Sequence, residues 1–209
     1  NMISHEKEVV MDFNPGEMDD DEKVDLSTTQ NVKWVAKLGS QAYGNVTIGN
    51  GCVFVGTNNE SPRDPKKKGD RGVVLCLDEK TGELKWQLVI PKLGAGKVSD
   101  WEYIGVCSSP AIDGDKVYVV TNRCEVVCLD IHGLTNGNDG PYIKEAEYVK
   151  PKGMQDPLDD KMDADILWMY DMRDELGVFP HNVTSSSALI VGDRVYVATS
   201  NGVDWSHTN

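Results

Sequence analysis

No stretch of this 209-residue sequence holds the ~18 consecutive apolar residues that a transmembrane helix needs. The first ten residues, Asn1 to Val10, lack the basic segment followed by an apolar one that marks a signal peptide. Basic residues are scarce as well. Against 34 Asp and Glu stand 21 Lys and Arg, a formal charge of −13. That balance excludes nucleic acid as a partner, because phosphate binding needs clustered cations. The basic run Lys66-Lys67-Lys68 follows two prolines and reads as a solvated loop tip. Five cysteines (Cys52, Cys76, Cys107, Cys124 and Cys128) show no metal-type spacing. On one face of a strand, Cys124 and Cys128 would lie ~13 Å apart at ~3.3 Å per residue, too far for a disulfide or a shared zinc. The cysteines read as small buried hydrophobes.

Acidic charge is concentrated at one end. Residues 1–26 hold nine acids against Lys7 and Lys23, a net −7 of the −13. Such a segment is expected to be an acidic N-terminal tail, mobile or lying on the surface. No Gly-centred loop of the EF-hand kind accompanies Asp19–Glu22. Residues 27–209 then form the folded unit.

What is present is repetition. Gly51–Asn58, Asp115–Asn122 and Asp193–Ser200 superpose: a Gly or Asp turn, alternating β-branched and aromatic residues, then a polar close. This is a half-buried strand entered from a hairpin. Val73–Asp78 and Glu125–Asp130 supply a matching second strand. After Asp78, a turn at Thr81-Gly82 leads into Glu83-Leu84-Lys85-Trp86, and Trp34 and Trp168 fall where the same closing strand is expected.

Four short antiparallel strands per repeat make a propeller blade, which must stack on its neighbours to bury its faces. The sequence therefore predicts an all-β partial β-propeller of about two and a half blades, at roughly 32–90, 106–170 and an incomplete 183–209. The tryptophans are expected in the core between blades. Insertions stretch the repeats at Asn58–Arg71, Pro91–Gly105 and Ile131–Asp165, and loops on a rigid propeller are where binding sites sit. The third holds Asn136-Gly137-Asn138-Asp139-Gly140 and reads as loop with room for a turn of helix, while Asp171–Leu176 could form a short helix. Closed propellers have ~4–8 blades, so the ring is expected to be completed by further chain or by another subunit.

Leu77-Asp78-Glu79-Lys80-Thr81-Gly82-Glu83-Leu84-Lys85-Trp86 and Ser109-Pro110-Ala111-Ile112-Asp113-Gly114-Asp115-Lys116-Val117-Tyr118 resemble the pyrroloquinoline-quinone (PQQ) repeat. That repeat builds the quinoprotein alcohol dehydrogenases and non-catalytic relatives such as the outer-membrane assembly lipoprotein. The resemblance covers about residues 32–209. Gly56-Thr57-Asn58-Asn59-Glu60, followed by Arg71-Gly72, is similar to a dehydrogenase loop whose glutamate binds calcium beside the quinone. The resemblance thus implies Glu60 as a calcium ligand, with Asn58, Asn59 and Arg71 beside the PQQ. Ala198–Trp205 looks like a later family loop and implies Asn201 as a second ligand of the same calcium. Calcium prefers such carboxylate and amide oxygens.

The departures are specific. A complete repeat, Cys107–Asp130, separates the two loops, and the first is lengthened around Pro62 and Pro65. The family's adjacent-cysteine pair has only Cys107-Ser108 for a counterpart, and no catalytic aspartate is assigned. His181 falls in a loop just before a blade, where it could face the axis, and Ser185-Ser186-Ser187 resembles the start of a blade, with no partner base for a nucleophile. The favoured reading is a binding or interaction platform whose long loops contact a protein or a saccharide. The alternative is part of a PQQ- and calcium-dependent dehydrogenase oxidising an alcohol or sugar. The resemblance implies a periplasmic or extracellular location.

Overall fold

Alternation of β-branched and aromatic residues gives each long strand two apolar faces, and the architecture follows from covering both. The computed structural model describes residues 7–150 and 158–199. A small N-terminal hairpin, β1 (Glu17–Met18) and β2 (Val24–Asp25), precedes two four-stranded antiparallel sheets. The first contains β3 (Thr47–Gly49), β4 (Cys52–Asn58), β5 (Arg71–Asp78) and β6 (Leu84–Pro91), paired in chain order. β7 (Ala111–Asp113), β8 (Lys116–Val120), β9 (Glu125–Asp130) and β10 (Ile166–Asp171) repeat that order in the second. Helix α1 (Glu145–Val149) lies in the insertion between β9 and β10, and α2 (Met172–Leu176) follows β10. β11 (Leu189–Val191) and β12 (Arg194–Tyr196) open a third sheet.

The sheets stack face to face. Phe54, Val74, Cys76, Trp86 and Leu88 on one face of the first sheet share a core with Val117, Val119, Val127 and Leu129 of the second. Val53, Val55, Val73 and Leu75, on the other face, are covered by Trp34, Ala36 and Leu38. Val120 and Val126, on the far side of the second sheet, meet Val195 and Val197 of the third. β4 is accordingly buried along its whole length. The short first strands β3, β7 and β11 lie side by side. One hydrogen bond recurs at each step: Asn45 N–H to Ser109 Oγ at 2.8 Å, then Ser109 N–H to Ser187 Oγ at 3.0 Å. This is a partial β-propeller.

Trp86 and Trp168 sit between blades, as expected, but Trp34 lies in no strand. Among the described residues no strand pairs with its segment, so it docks on the neighbouring sheet as a cap. The acidic N-terminal segment makes a surface hairpin. Asp19 closes its turn by accepting from the amides of Asp21 (3.0 Å) and Lys23 (2.8 Å), and Glu22 pairs with Lys37 at 2.6 Å. Asp171 caps α2 by accepting from the Arg173 amide at 2.9 Å.

One expectation is overturned. Lys67 is not at a solvated tip: its ammonium is fully buried and pairs with Asp163 and with Asp64. The third insertion supplies Asp163. It also covers the open edge of β6, with Gln87 N–H on the Met162 carbonyl at 2.7 Å and Ala164 N–H on the Gln87 carbonyl at 3.0 Å. Burial of Lys67 thus follows from two insertions meeting along one sheet edge. All five cysteines are buried and free of disulfides, and burial pushes the Cys107 and Cys128 thiols up to about 11. No helix among the described residues is long and apolar enough to cross a membrane.

Candidate functional site

Strand direction sorts the loops. Because β3 to β6 alternate, the connections 58–71 and 91–111 emerge at one end of the sheets, together with 120–125 and 171–189 from the second blade. The tight turns 49–52, 78–84 and 113–116 occupy the opposite end.

At the loop end the connection 92–105 is fastened at several points. Asp100 is 3% exposed, pairs with Lys92, and accepts from the Leu93 amide at 3.0 Å and from Asn122 Nδ2 at 2.9 Å. Burial pushes its carboxyl above the usual range, against the pull of Lys92. Trp101 N–H donates to the Asn182 carbonyl and Asn182 N–H to the Val98 carbonyl, both at 2.8 Å, joining this loop to that of the next blade. Tyr103 adopts a left-handed backbone (φ 59°), held by its own N–H on Asp70 at 3.0 Å and by Asn58 Nδ2 on its carbonyl at 2.6 Å.

These anchors present aromatic side chains to solvent. Tyr43, Trp101 and Tyr103 are 62%, 38% and 55% exposed. Tyr43 and Trp101 line a cleft of about 670 Å³ together with Ile104, Cys107, Ser109, Asn182 and Ser187. Lys97 Nζ sits 5.1 Å from the centre of the Trp101 ring. The site is an apolar, aromatic surface on a braced loop. Burial there favours the thiol form of Cys107 over the thiolate.

The side chains expected beside a quinone are occupied within the protein. Asn58, 2% exposed, donates to the Tyr103 carbonyl, to Ser40 Oγ at 3.0 Å and to Glu60 at 3.3 Å. Asn59 donates to the carbonyls of Lys67 (2.6 Å) and Gly69 (3.1 Å). Arg71 donates to the carbonyls of Lys68 (2.9 Å) and Val149 (3.0 Å). These three hold the loop 58–71 and brace its neighbours. Glu60 is exposed, hydrogen-bonded to Ser40, and faces a separate cleft that it shares with Trp34, Lys37 and the N-terminal hairpin. Asn201 lies outside the described residues, as does Trp205.

Ser186 and Ser187 accept backbone amides from Ala198 and Ser109, each at 3.0 Å, which gives them structural roles. His181 lines a smaller cleft with Cys124, Met172 and Pro180. The repeat pattern did not single out Tyr43, Trp101 or Tyr103. The only signal for them was a cluster of aromatics inside and just before non-repeating segments.

The sequence matches the family described as outer membrane protein assembly factor BamB, a PQQ-repeat family, over residues 19–133. That span takes in the whole first sheet and β7 to β9 of the second. No match was found among curated proteins. The match covers more than half of the sequence and coincides with blades that stack as a propeller, so the chain belongs to the BamB-type PQQ-repeat family.

Proposed function

We propose that the chain is a rigid docking platform for a protein partner, engaged at the loop end through Tyr43, Trp101 and Tyr103. The carrying observation is the braced aromatic cleft between loops 92–105 and 179–187. Aromatic side chains give large contact area for little lost side-chain freedom and dominate the anchors of protein interfaces. A loop already fixed by Asp100, Asn58 and Asn182 has little ordering entropy left to lose on binding. The family is named for outer-membrane protein assembly, which favours a protein partner over a saccharide and an extracytoplasmic location. Completion of the ring by further blades or another subunit belongs to the same reading.

Quinone chemistry is the weaker reading. A cofactor at the 58–71 loop would have to break the internal hydrogen bonds of Asn58, Asn59 and Arg71, each of which satisfies a backbone carbonyl.

The test is site-specific photo-crosslinking in the native host, with the reactive residue at position 101 or 103 and, as controls, at 80 or 114 on the turn end. A discrete protein adduct from the first pair and none from the second is expected. Equal labelling at both ends, or calcium-dependent saturable binding of PQQ lost in Asn58→Ala, contradicts the reading.

A further inference from the structure

At the turn end, the connection after β5 and its counterpart after β9 begin alike and end differently. Asp78 and Glu83 flank the first, with the Asp78 amide on the Glu83 carbonyl at 2.8 Å, and Glu83 is exposed. Asp130 and Asp165 hold the same positions in the second blade, with the Asp130 amide on the Asp165 carbonyl at 3.0 Å. Here the intervening chain is the long insertion, which lays Asn136–Gly140 over the pair. Asp165 is 0% exposed. Its Oδ2 accepts from the Asp139 amide at 2.9 Å, while Oδ1, also buried, has no hydrogen-bond partner.

Carboxylate oxygens of Asp130, Asp139 and Asp165 lie within 4.8 Å of one another. None of the ion pairs among the described residues includes any of the three. Asn136 adds an amide at 3.3 Å from Asp130 and 3.4 Å from Asp139, and a half-turn of that amide presents a fourth oxygen. A buried, unpaired oxygen on one member of three gathered carboxylates is what a bound cation would satisfy.

The donor set selects the ion. All-oxygen ligands favour a hard cation over zinc. Calcium accepts irregular sets of protein oxygens at ~2.3–2.6 Å, whereas magnesium demands near-ideal octahedral geometry at ~2.0–2.1 Å and usually keeps several of its waters. We propose that Asp130, Asp139 and Asp165 bind one calcium ion that staples the stem of the 131–165 insertion to the second blade. The site is independent of the loop-end cleft and of Glu60. Asp130 and Asp165 are the two stems of the insertion and Asp139 lies in its first loop, so the ion fixes where the segment carrying α1 and Asp163 leaves and rejoins the sheet.

The test is calorimetric titration of the chelator-treated full chain with calcium chloride, with limited proteolysis in parallel. Saturable one-to-one binding is expected, together with calcium protection of the 131–165 segment. Asp139→Asn changes an exposed side chain and should leave the fold intact while weakening binding at least about tenfold, as Asp130→Asn should. Glu60→Ala should bind as the unaltered protein does. A folded protein that binds no calcium overturns the proposal. So does undiminished binding by Asp139→Asn, equal binding of magnesium, or loss in Glu60→Ala instead.

Discussion

Trp86 donates its indole N–H to the Ile131 carbonyl at 2.8 Å and lays its ring against Gly133, one blade further on. Trp34 repeats the contact, with its N–H on the Glu79 carbonyl at 3.0 Å and its ring against Gly82. Each glycine has a left-handed backbone (φ +60° and +74°), and an added Cβ would stand 2.8 Å from backbone at Gly133 and 2.5 Å from the indole at Gly82. Tryptophan and glycine are therefore two halves of one joint between blades.

Trp86 is 1% exposed, so Trp86→Ala should cost ~3–5 kcal/mol of unfolding free energy. Trp34 is half-buried, and Trp34→Ala should cost less. Urea unfolding of the two variants measures the order.

The buried Lys67 pairs with Asp163 and Asp64. Removing one partner leaves an uncompensated buried charge, so Lys67→Met should destabilise by ~3–5 kcal/mol. Lys67→Met combined with Asp163→Leu should recover part of that loss. A double-mutant cycle by chemical denaturation gives the coupling.

Asp78 accepts from the amides of Lys80 (2.9 Å) and Thr81 (3.0 Å), and these bonds hold its carboxyl below the usual aspartate range. A carboxyl depressed in the folded state stabilises above its unfolded pKa of ~3.9, and that stability is lost as pH falls through the folded value. Unaltered protein should thus lose stability below about pH 4 more steeply than Asp78→Asn. Thermal melts from pH 6 to pH 2 compare the slopes.

Asn58 ties the Tyr103 carbonyl to the first blade. Asn58→Ala should leave buried groups unpaired at a cost of ~1–3 kcal/mol and loosen loop 92–105. Faster amide exchange across 92–105, with β8 and β9 unchanged, is the expected signature.

The sheets could be read from the sequence because strand alternation and the Asp-x-x-Thr-Gly turn are local, and the strand pattern recurs. β9 matches the expected Glu125–Asp130 residue for residue. Lys67 could not be read, because a lysine run looks solvated and its partner Asp163 lies 96 residues along the chain. The motif read at Asn58, Asn59 and Arg71 does not reveal their bonds, which go to carbonyls of their own loop and, for Asn58 and Arg71, to Tyr103 and Val149 of neighbouring loops. The Asp130, Asp139 and Asp165 cluster was hidden for a related reason. Two of its members look like ordinary turn residues until the insertion folds the third over them.

The docking claim is tested most directly by the affinity of the crosslinked partner for three forms of the protein: unaltered, Trp101→Ala and Lys80→Ala. An interfacial anchor contributes ~2 kcal/mol, so Trp101→Ala should weaken binding about 30-fold while Lys80→Ala leaves it unchanged. Equal affinity of all three forms would contradict the account.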